Sequence, residues 1–262
     1  LALSSSRGAS SILYAMGITQ RTNGTDLVLS LANLAMLSGQ IGKPATGVNP
    51  LRGQSNVQGA CDLGALPNVL PGYQPVTDEA KRQAVAAGWG LDDLPPEPGL
   101  TVVEMMHAAA DGRLAAMYIM GENPMLSDPN ITHVEEGLRA LEFLIVQDIF
   151  LSESALLAHV VLPAAASLEK DGSFTNTERR VQLIEPIVMP PGEAWPDWRI
   201  TGALGAALAA KLGQGDAVRW RFDGTGAIMD EAARVTPIYG GMAHRRLEGA
   251  GLTWPCPTMD HP

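Results

Sequence analysis

Between residues 101 and 164 the chain alternates two patterns, and this alternation limits the fold more than any other feature. AAMYIM (115–120), FLIVQD (143–148) and HVVLPA (159–164) are short, nearly continuous apolar runs. TVVEMMHAAADG (101–112), ITHVEEGLRALE (131–142) and the shorter SESALLA (152–158) carry helical spacing between them. Thr101 with Glu104, and Thr132 with Glu135, have the spacing of capping boxes. Apolar strands alternating with helices predict an α/β fold in which a parallel sheet is covered by helical layers on both faces. Ligands of such sheets sit beyond the carboxyl ends of the strands. GENP (121–124) and QDIF (147–150) therefore form the candidate binding edge.

The rest of the chain is less regular. SILYAM (11–16) reads as a buried strand ending at Gly17. Residues 25–38 read as a helix, with Thr25 at the N-cap and Gly39 just past the C-terminus. Residues 65–100 are Pro-rich, with a helix at 78–87. Residues 196–213 read as a long helix, with Pro196 at its first position and Gly213 after its last. A further helix covers 225–234. Two polar, Gly-containing stretches have no period of either kind: GVNPLRGQSNVQGACDLG (47–64) and SLEKDGSFTNTERRVQ (167–182). The tail, GLTWPCPTMDHP, is irregular and does not read as the natural end of a domain. The chain opens without Met, and an apolar segment follows almost at once, so it reads as a piece of a longer polypeptide.

Charge is unevenly placed. The formal net charge is −10 over 262 residues. Residues 1–76 hold four basic groups (Arg7, Arg21, Lys43, Arg52) and two acidic ones (Asp26, Asp62), and the remainder holds 14 basic against 26 acidic groups. An acidic exterior argues against a nucleic-acid partner. It leaves room for an anion held by isolated cations in a cleft. Cys61 and Cys256 lie far apart and form neither a disulfide framework nor a metal-spacing pair. No run approaches 18 apolar residues, so no membrane span is expected. The five histidines share no ligand spacing, and no metal ligand is assigned. Gly-x-Ser-x-Gly, His-Glu-x-x-His and Walker motifs are absent. What remains is a set of separated loops rich in amides, glycine and single charges: MGITQ (16–20), 47–64, GENP, VQD (146–148), EKDG (169–172) and PDW (196–198). Each could be a plain turn. Jointly, at strand ends, they suit a large polar ligand: an Asp accepts from a guanine-type edge, and a Lys or Arg meets phosphate.

YAMGITQ, LRGQSNVQGACDLGALPNVLPGY, YIMGENP, VQDIFLSESA, VVLPAAASLEKDGSFTNTERRVQ and PDWRI stand in this order. Together they resemble the catalytic subunit of molybdenum or tungsten formate dehydrogenases, within the molybdopterin oxidoreductase superfamily that also holds periplasmic nitrate reductase. The resemblance implies Rossmann-like parallel-sheet layers covered by helices, as in the central domains of formate dehydrogenase and DMSO reductase. It implies formate oxidation to carbon dioxide, reversibly and with two electrons, at a bis-molybdopterin guanine dinucleotide carrying Mo or W. Arg52 is then the formate-binding cation, with Gln54 and Asn56 in the substrate pocket. Gly53, flanking Arg52, and Gly59 let the backbone approach the pterin. By their place in the motifs, Met16, Gln20, Gly53, Gly121, Glu122, Asn123, Gln147, Asp148, Lys170 and Asp197 contact the cofactor, with Asp148 on guanine.

The four-cysteine motif for a 4Fe-4S cluster is absent, as are the metal-ligating Cys or selenocysteine with its neighbouring His and the C-terminal domain. The chain alone is therefore expected to be inactive. The implied partners are formate and carbon dioxide, the remaining parts of the catalytic subunit and electron-transfer subunits. The cytoplasm is the default location, with the periplasm open. The implied division places the end of a pterin-binding α/β domain at 1–53 and a second α/β domain at 54–165. Residues 166–243 complete a further domain, and 244–262 form a linker. A nitrate- or arsenic-type relative and a cofactor-free structural relative are the alternatives. LRGQSNVQGACD counts against the first, and Arg52, Asp148 and Lys170 together count against the second.

Overall fold

The computed structural model describes residues 8–213 and 217–261; the opening residues of the 1–53 segment lie outside them. Strand β1 (Ser11–Tyr14) is shorter than the expected strand, because Met16 already starts the short helix α1 (Met16–Thr19), and it is not buried as expected: Leu13 is exposed. Helix α2 (Gly24–Leu37) follows. Its N-cap position is Asn23 rather than Thr25, and no side chain caps it. Gly39 closes it as expected, in the left-handed region at φ +67°. The Gln40 N–H reaches the Ala35 carbonyl at 2.8 Å and the Gly39 N–H reaches Met36 at 3.0 Å, which is a Schellman closure.

The stretch 47–64 holds structure that its residue pattern hides. Strand β2 (Gly47–Pro50) pairs in parallel with β1, from Ser11 opposite Gly47 to Tyr14 opposite Pro50. Helix α3 (Val57–Asp62) follows a turn. A small hairpin of β3 (Val69–Leu70) and β4 (Gln74–Pro75) comes next. Helix α4 (Glu79–Gly88) is capped by the Asp78 side chain, which accepts from the Lys81 N–H at 3.2 Å.

The central block forms the expected parallel sheet, but helices cover only one of its faces fully and leave Phe143 and Met120 exposed on the other. Helix α5 (Val102–Ala110), strand β5 (Ala116–Met120), the turn of helix α6 (Pro124–Ser127), helix α7 (Ile131–Ala140), strand β6 (Phe143–Asp148) and strand β7 (Val160–Pro163) succeed one another. The sheet is parallel, in the order β5–β6–β7. One face carries a core: Ile119, Leu144 and Val146 pack with Met106 and Ala109 of α5 and Val134 and Leu138 of α7. Burying each large side chain contributes about 1.5–3 kcal/mol. On the other face Gln147 bonds to Asp197, while Phe143 and Met120 stay exposed.

Two local expectations fail here. The Thr101–Glu104 capping box forms in full. The Thr132–Glu135 one does not, because Asn130, left-handed at φ +60°, starts α7 at Ile131 and leaves Thr132 inside the helix. Glu135 instead pairs with Arg139 at 2.8 Å. SESALLA winds only one 3₁₀ turn, Ala155–Leu157. His107 and His133, far apart in sequence, meet between α5 and α7 with ring nitrogens 3.0 Å apart.

Residues 167–182 are not irregular. After a 3₁₀ turn (Ser167–Glu169) they form strand β8 (Gly172–Thr175), which pairs antiparallel with β9 (Arg180–Ile184). Helix α8 (Asp197–Leu212) follows, with Pro196 at the N-cap position and Gly213, at φ +62°, ending it. Then come helix α9 (Thr225–Val235), a 3₁₀ turn (Pro237–Tyr239), helix α10 (His244–Leu247) and strand β10 (Leu252–Thr253). β10 adds antiparallel to β9. A second core joins Val181, Met229, Tyr239, Met242, Leu247 and Cys256. Leu247, Leu252, Trp254 and Cys256 of the segment 244–262 are thus packed into it. Among the described residues, no helix is long and apolar enough to cross a membrane.

Candidate functional site

Most of the residues singled out from the sequence follow the carboxyl ends of strands in the two parallel sheets, whereas Lys170 and Asp197 lie outside those strands. Tyr14 ends β1 and Pro50 ends β2, and the Leu51 N–H bonds to the Tyr14 carbonyl at 2.7 Å. That bond sets the loop carrying Arg52 beside the turn into α1. Met16 and Gln20 lie on that turn, both exposed, with the Gln20 N–H on the Met16 carbonyl at 2.9 Å.

Arg52, Gly53, Gln54 and Asn56 line one cavity of about 510 Å³, closed on its other side by Phe174–Thr177 and Gln182–Ile184 of the β8–β9 hairpin. Asn56 Oδ1 accepts from the Thr175 N–H at 2.9 Å and clamps the loop onto β8. Asn56 is left-handed at φ +62°. Gly59 has an internal reason: a Cβ there would lie 2.2 Å from Asn56 Oδ1 and 3.0 Å from Thr175 Oγ1. Its backbone therefore accommodates Asn56 rather than a ligand. Gly53 differs, with nothing within 4 Å of where its Cβ would be.

Arg52 is held from behind. Its Nε donates to Gln58 Oε1 at 3.1 Å. Neither terminal nitrogen of its guanidinium has a partner among the described residues. Gln58 Nε2 donates to Asp62 Oδ1 at 2.8 Å and to the Tyr73 hydroxyl at 2.9 Å. Tyr73 in turn donates to Asp62 Oδ1 at 2.7 Å, and Tyr239 donates to Asp62 Oδ2 at 2.8 Å. Gln58, Asp62 and Tyr239 are buried. Burial, with Asp62 alongside, pushes both tyrosine hydroxyls above their ordinary range, so they remain donors.

A second cluster sits on the open face of the β5–β6–β7 sheet. Gln147 is fully buried near the end of β6; its Nε2 donates to Asp197 Oδ1 at 2.6 Å, and its Oε1 accepts from the Tyr118 hydroxyl. Lys170 forms an ion pair with Asp197 Oδ2. Three residues chosen from separate motifs are thus joined directly. Lys170 also lies five residues before Thr175, so about 17 Å of extended chain links this cluster to the Arg52 cavity.

The remaining candidates line the sheet edge. Gly121 follows β5 at φ +64°, with open space where a Cβ would stand, and its N–H bonds to the Gln147 carbonyl at 2.8 Å. Glu122 accepts from Ser127 at 2.7 Å. Asn123 is committed inward: Oδ1 accepts from Ser154 Oγ at 2.7 Å, and Nδ2 donates to Glu153 at 2.7 Å. Asp148 Oδ1 accepts the Ile149 N–H at 2.6 Å, and its second oxygen has no partner among the described residues.

Gln58, Asp62, Tyr73, Thr175 and Tyr239 escaped the sequence reading. One signal was available: Asp62 is one of only two acidic residues in the first 76, and it stands ten positions after Arg52.

Residues 8–207 match the family model described as "Molybdopterin oxidoreductase". The chain is 54% identical over 251 residues to a formate dehydrogenase alpha subunit of Methanocaldococcus jannaschii, covering 96% of this chain and 36% of that protein. It is 39% identical over 249 residues to formate dehydrogenase H of Escherichia coli, covering 95% and 34%. It thus spans about a third of the length of these relatives. The solved structure of acetylene hydratase from Pelobacter acetylenicus superposes with a TM-score of 0.53 over 86% of this chain and 32% of that one, at 15% identity, a likeness of fold. With three quarters of its residues inside the family model, the chain belongs to the molybdopterin oxidoreductase family, whose name implies a molybdopterin cofactor.

Proposed function

We propose that this chain supplies the substrate cation and part of the cofactor cradle of a formate dehydrogenase catalytic subunit. The observation that carries the reading is Arg52, anchored through Nε with both terminal nitrogens unpartnered among the described residues and lining an open cavity. Formate is a small planar carboxylate. Its two oxygens match one N–H from each of the two terminal guanidinium nitrogens, which leaves the C–H bond directed away from Arg52. Oxidation converts the anion into neutral carbon dioxide with release of two electrons and a proton. The ion pair with Arg52 is lost at that moment, so the cation favours substrate over product. Gln54 and Asn56 line the same cavity as its polar wall.

The residues present fit a large cofactor bearing phosphates and guanine. Gly121 and Gly53 leave space for close backbone approach, Asp148 keeps one carboxylate oxygen free for a guanine edge, and Lys170, paired with Asp197, supplies a cation. When bound, a bis-molybdopterin guanine dinucleotide with Mo or W supplies the two-electron acceptor. Met16, Gln20, Glu122 and Asn123 stand at the same strand ends, and Gln147 and Asp197 orient Lys170. The division at residues 53, 165 and 243 belongs to this proposal. So do a 4Fe-4S cluster, electron-transfer subunits, a cytoplasmic setting and inactivity of the chain on its own. Support comes from the relatives that bear the name formate dehydrogenase.

The test is Arg52→Ala in the intact, cofactor-loaded enzyme. Formate turnover is expected to fall at least about 100-fold, in keeping with loss of a bidentate charged contact, while metal and pterin content hold. Loss of cofactor in step with activity would make Arg52 a cradle residue instead.

A further inference from the structure

We propose that Asp62, acting through Gln58, fixes the orientation of Arg52, so that both are positioning residues for the carboxylate substrate; this rests on the reading of Arg52 given above.

The two ends of a glutamine amide have nearly the same shape but opposite hydrogen-bonding character. Something must decide which end of Gln58 faces Arg52. Asp62 does so, because each of its hydrogen bonds here is accepted. Only the NH₂ end of Gln58 can face such a group, so the carbonyl end is presented to Arg52 Nε. Reversed, the amide would set a donor against a donor, and the guanidinium would lose its only hydrogen-bond partner among the described residues. Holding Nε from behind also selects the edge of the guanidinium left for a ligand, namely its two terminal nitrogens.

Asp62 itself has an uncommon setting. It is fully buried, three neutral groups donate to it, and no cation lies within ion-pair distance among the described residues. A buried carboxylate without a cation is costly, and a neutral residue of similar size could fill the space. What a carboxylate adds is direction: it forces Gln58, Tyr73 and Tyr239 all to donate inward. Arg52 is the guanidinium nearest along this network, one amide away. At the opposite end of the loop, Asn56 is bonded to Thr175, and Thr175 Oγ1 lies 3.0 Å from the Tyr239 hydroxyl. The Arg52 loop is therefore held on both sides by one connected set of hydrogen bonds.

The experiment compares Asp62→Asn, Gln58→Glu and the double variant in the intact cofactor-loaded enzyme. Asp62→Asn leaves one oxygen for three inward donors, so its NH₂ must face either the Gln58 NH₂ or the Tyr239 hydroxyl and the direction imposed on Gln58, and through it on Arg52, is no longer fixed, whereas Gln58→Glu sets carboxylate against carboxylate. Each is expected to raise the formate KM about 10- to 100-fold, the range for loss of a supporting partner, with metal and pterin content retained. In the double variant the amide and the carboxylate have exchanged places. The amide at position 62 would donate to the carboxylate at position 58, which would still accept from Arg52. KM is then expected to return to within about threefold of the parent, the mark of direct coupling. Calorimetric binding of formate without an electron acceptor should follow the same order. An unchanged KM in Asp62→Asn, a loss that only tracks cofactor content, or a double variant no better than the singles would each overturn the proposal. If Asp62→Asn does not fold, Gln58→Glu and the double variant decide by the same comparison. Arg52→Ala separates the two readings. If it leaves formate affinity intact, the assignment of Arg52 falls and this inference with it. If it abolishes affinity while Asp62→Asn does not, the positioning role alone falls.

Discussion

Tyr239 donates its hydroxyl hydrogen to Asp62 Oδ2 at 2.8 Å, across 177 residues of sequence. The same hydroxyl lies 3.0 Å from Thr175 Oγ1. One buried phenol therefore joins helix α3, strand β8 and the turn before α10, and it stands behind Arg52, which faces the cavity.

Tyr239→Phe leaves Asp62 Oδ2 and Thr175 Oγ1 short of a buried partner. The expected loss is about 1–3 kcal/mol in urea unfolding. The same variant tests a pH effect. Burial raises the folded Tyr239 above the ordinary tyrosine value of about 10. Its stabilising contribution is complete below that value. It declines as pH rises further, because the unfolded chain releases a proton that the folded chain keeps. The parent is expected to lose up to about 1.4 kcal/mol per pH unit from this group above pH ~10, and Tyr239→Phe should show a shallower alkaline slope. Equal slopes would count against the shift.

Gly59 and Gly53 flank the same loop but answer to different constraints. Gly59→Ala drives a methyl group into Asn56 Oδ1 and Thr175. It should cost about 1–3 kcal/mol by overpacking, measured by denaturant unfolding. Gly53→Ala meets open space, so stability should stay within about 0.5 kcal/mol. In the loaded enzyme Gly53→Ala should instead lower metal and pterin content, because it occupies the side left for the cofactor.

The two capping-box spellings make a matched pair. Thr101 accepts from the Glu104 N–H and Glu104 closes the box, whereas Thr132 lies inside α7. Thr101→Ala should lower stability by about 1 kcal/mol, and Thr132→Ala by less than about 0.5 kcal/mol. Equal losses in thermal unfolding would contradict this placement of the helix starts.

Legibility followed the range of the forces involved. The strands at 115–120, 143–148 and 159–164 and the helices around them were readable, because burial on a sheet or helix face imposes a period within a few residues. β2, β8 and β9 were not. Gly47–Pro50 and Gly172–Thr175 have no alternation, and they exist as strands because β1 and β9 supply their hydrogen bonds. Asn130, not Thr132, starts α7, since a left-handed residue ahead of Ile131 set the boundary.

In the site, the polarity and glycine content of 47–64, which suit neither core nor linker, marked the stretch, and the family resemblance of its residues picked out Arg52, Gly53, Gln54 and Asn56, which line the cavity. The sequence by itself also marked Gln147, Lys170 and Asp197 as polar residues at strand and helix ends. Tertiary structure alone decided that these last three touch, and that Asp62, Tyr73, Thr175 and Tyr239 stand behind Arg52. Periodicity and capping act between neighbours in the chain. A buried polar group takes its partner from whichever segment the packing brings within about 3 Å, and no local pattern records that choice.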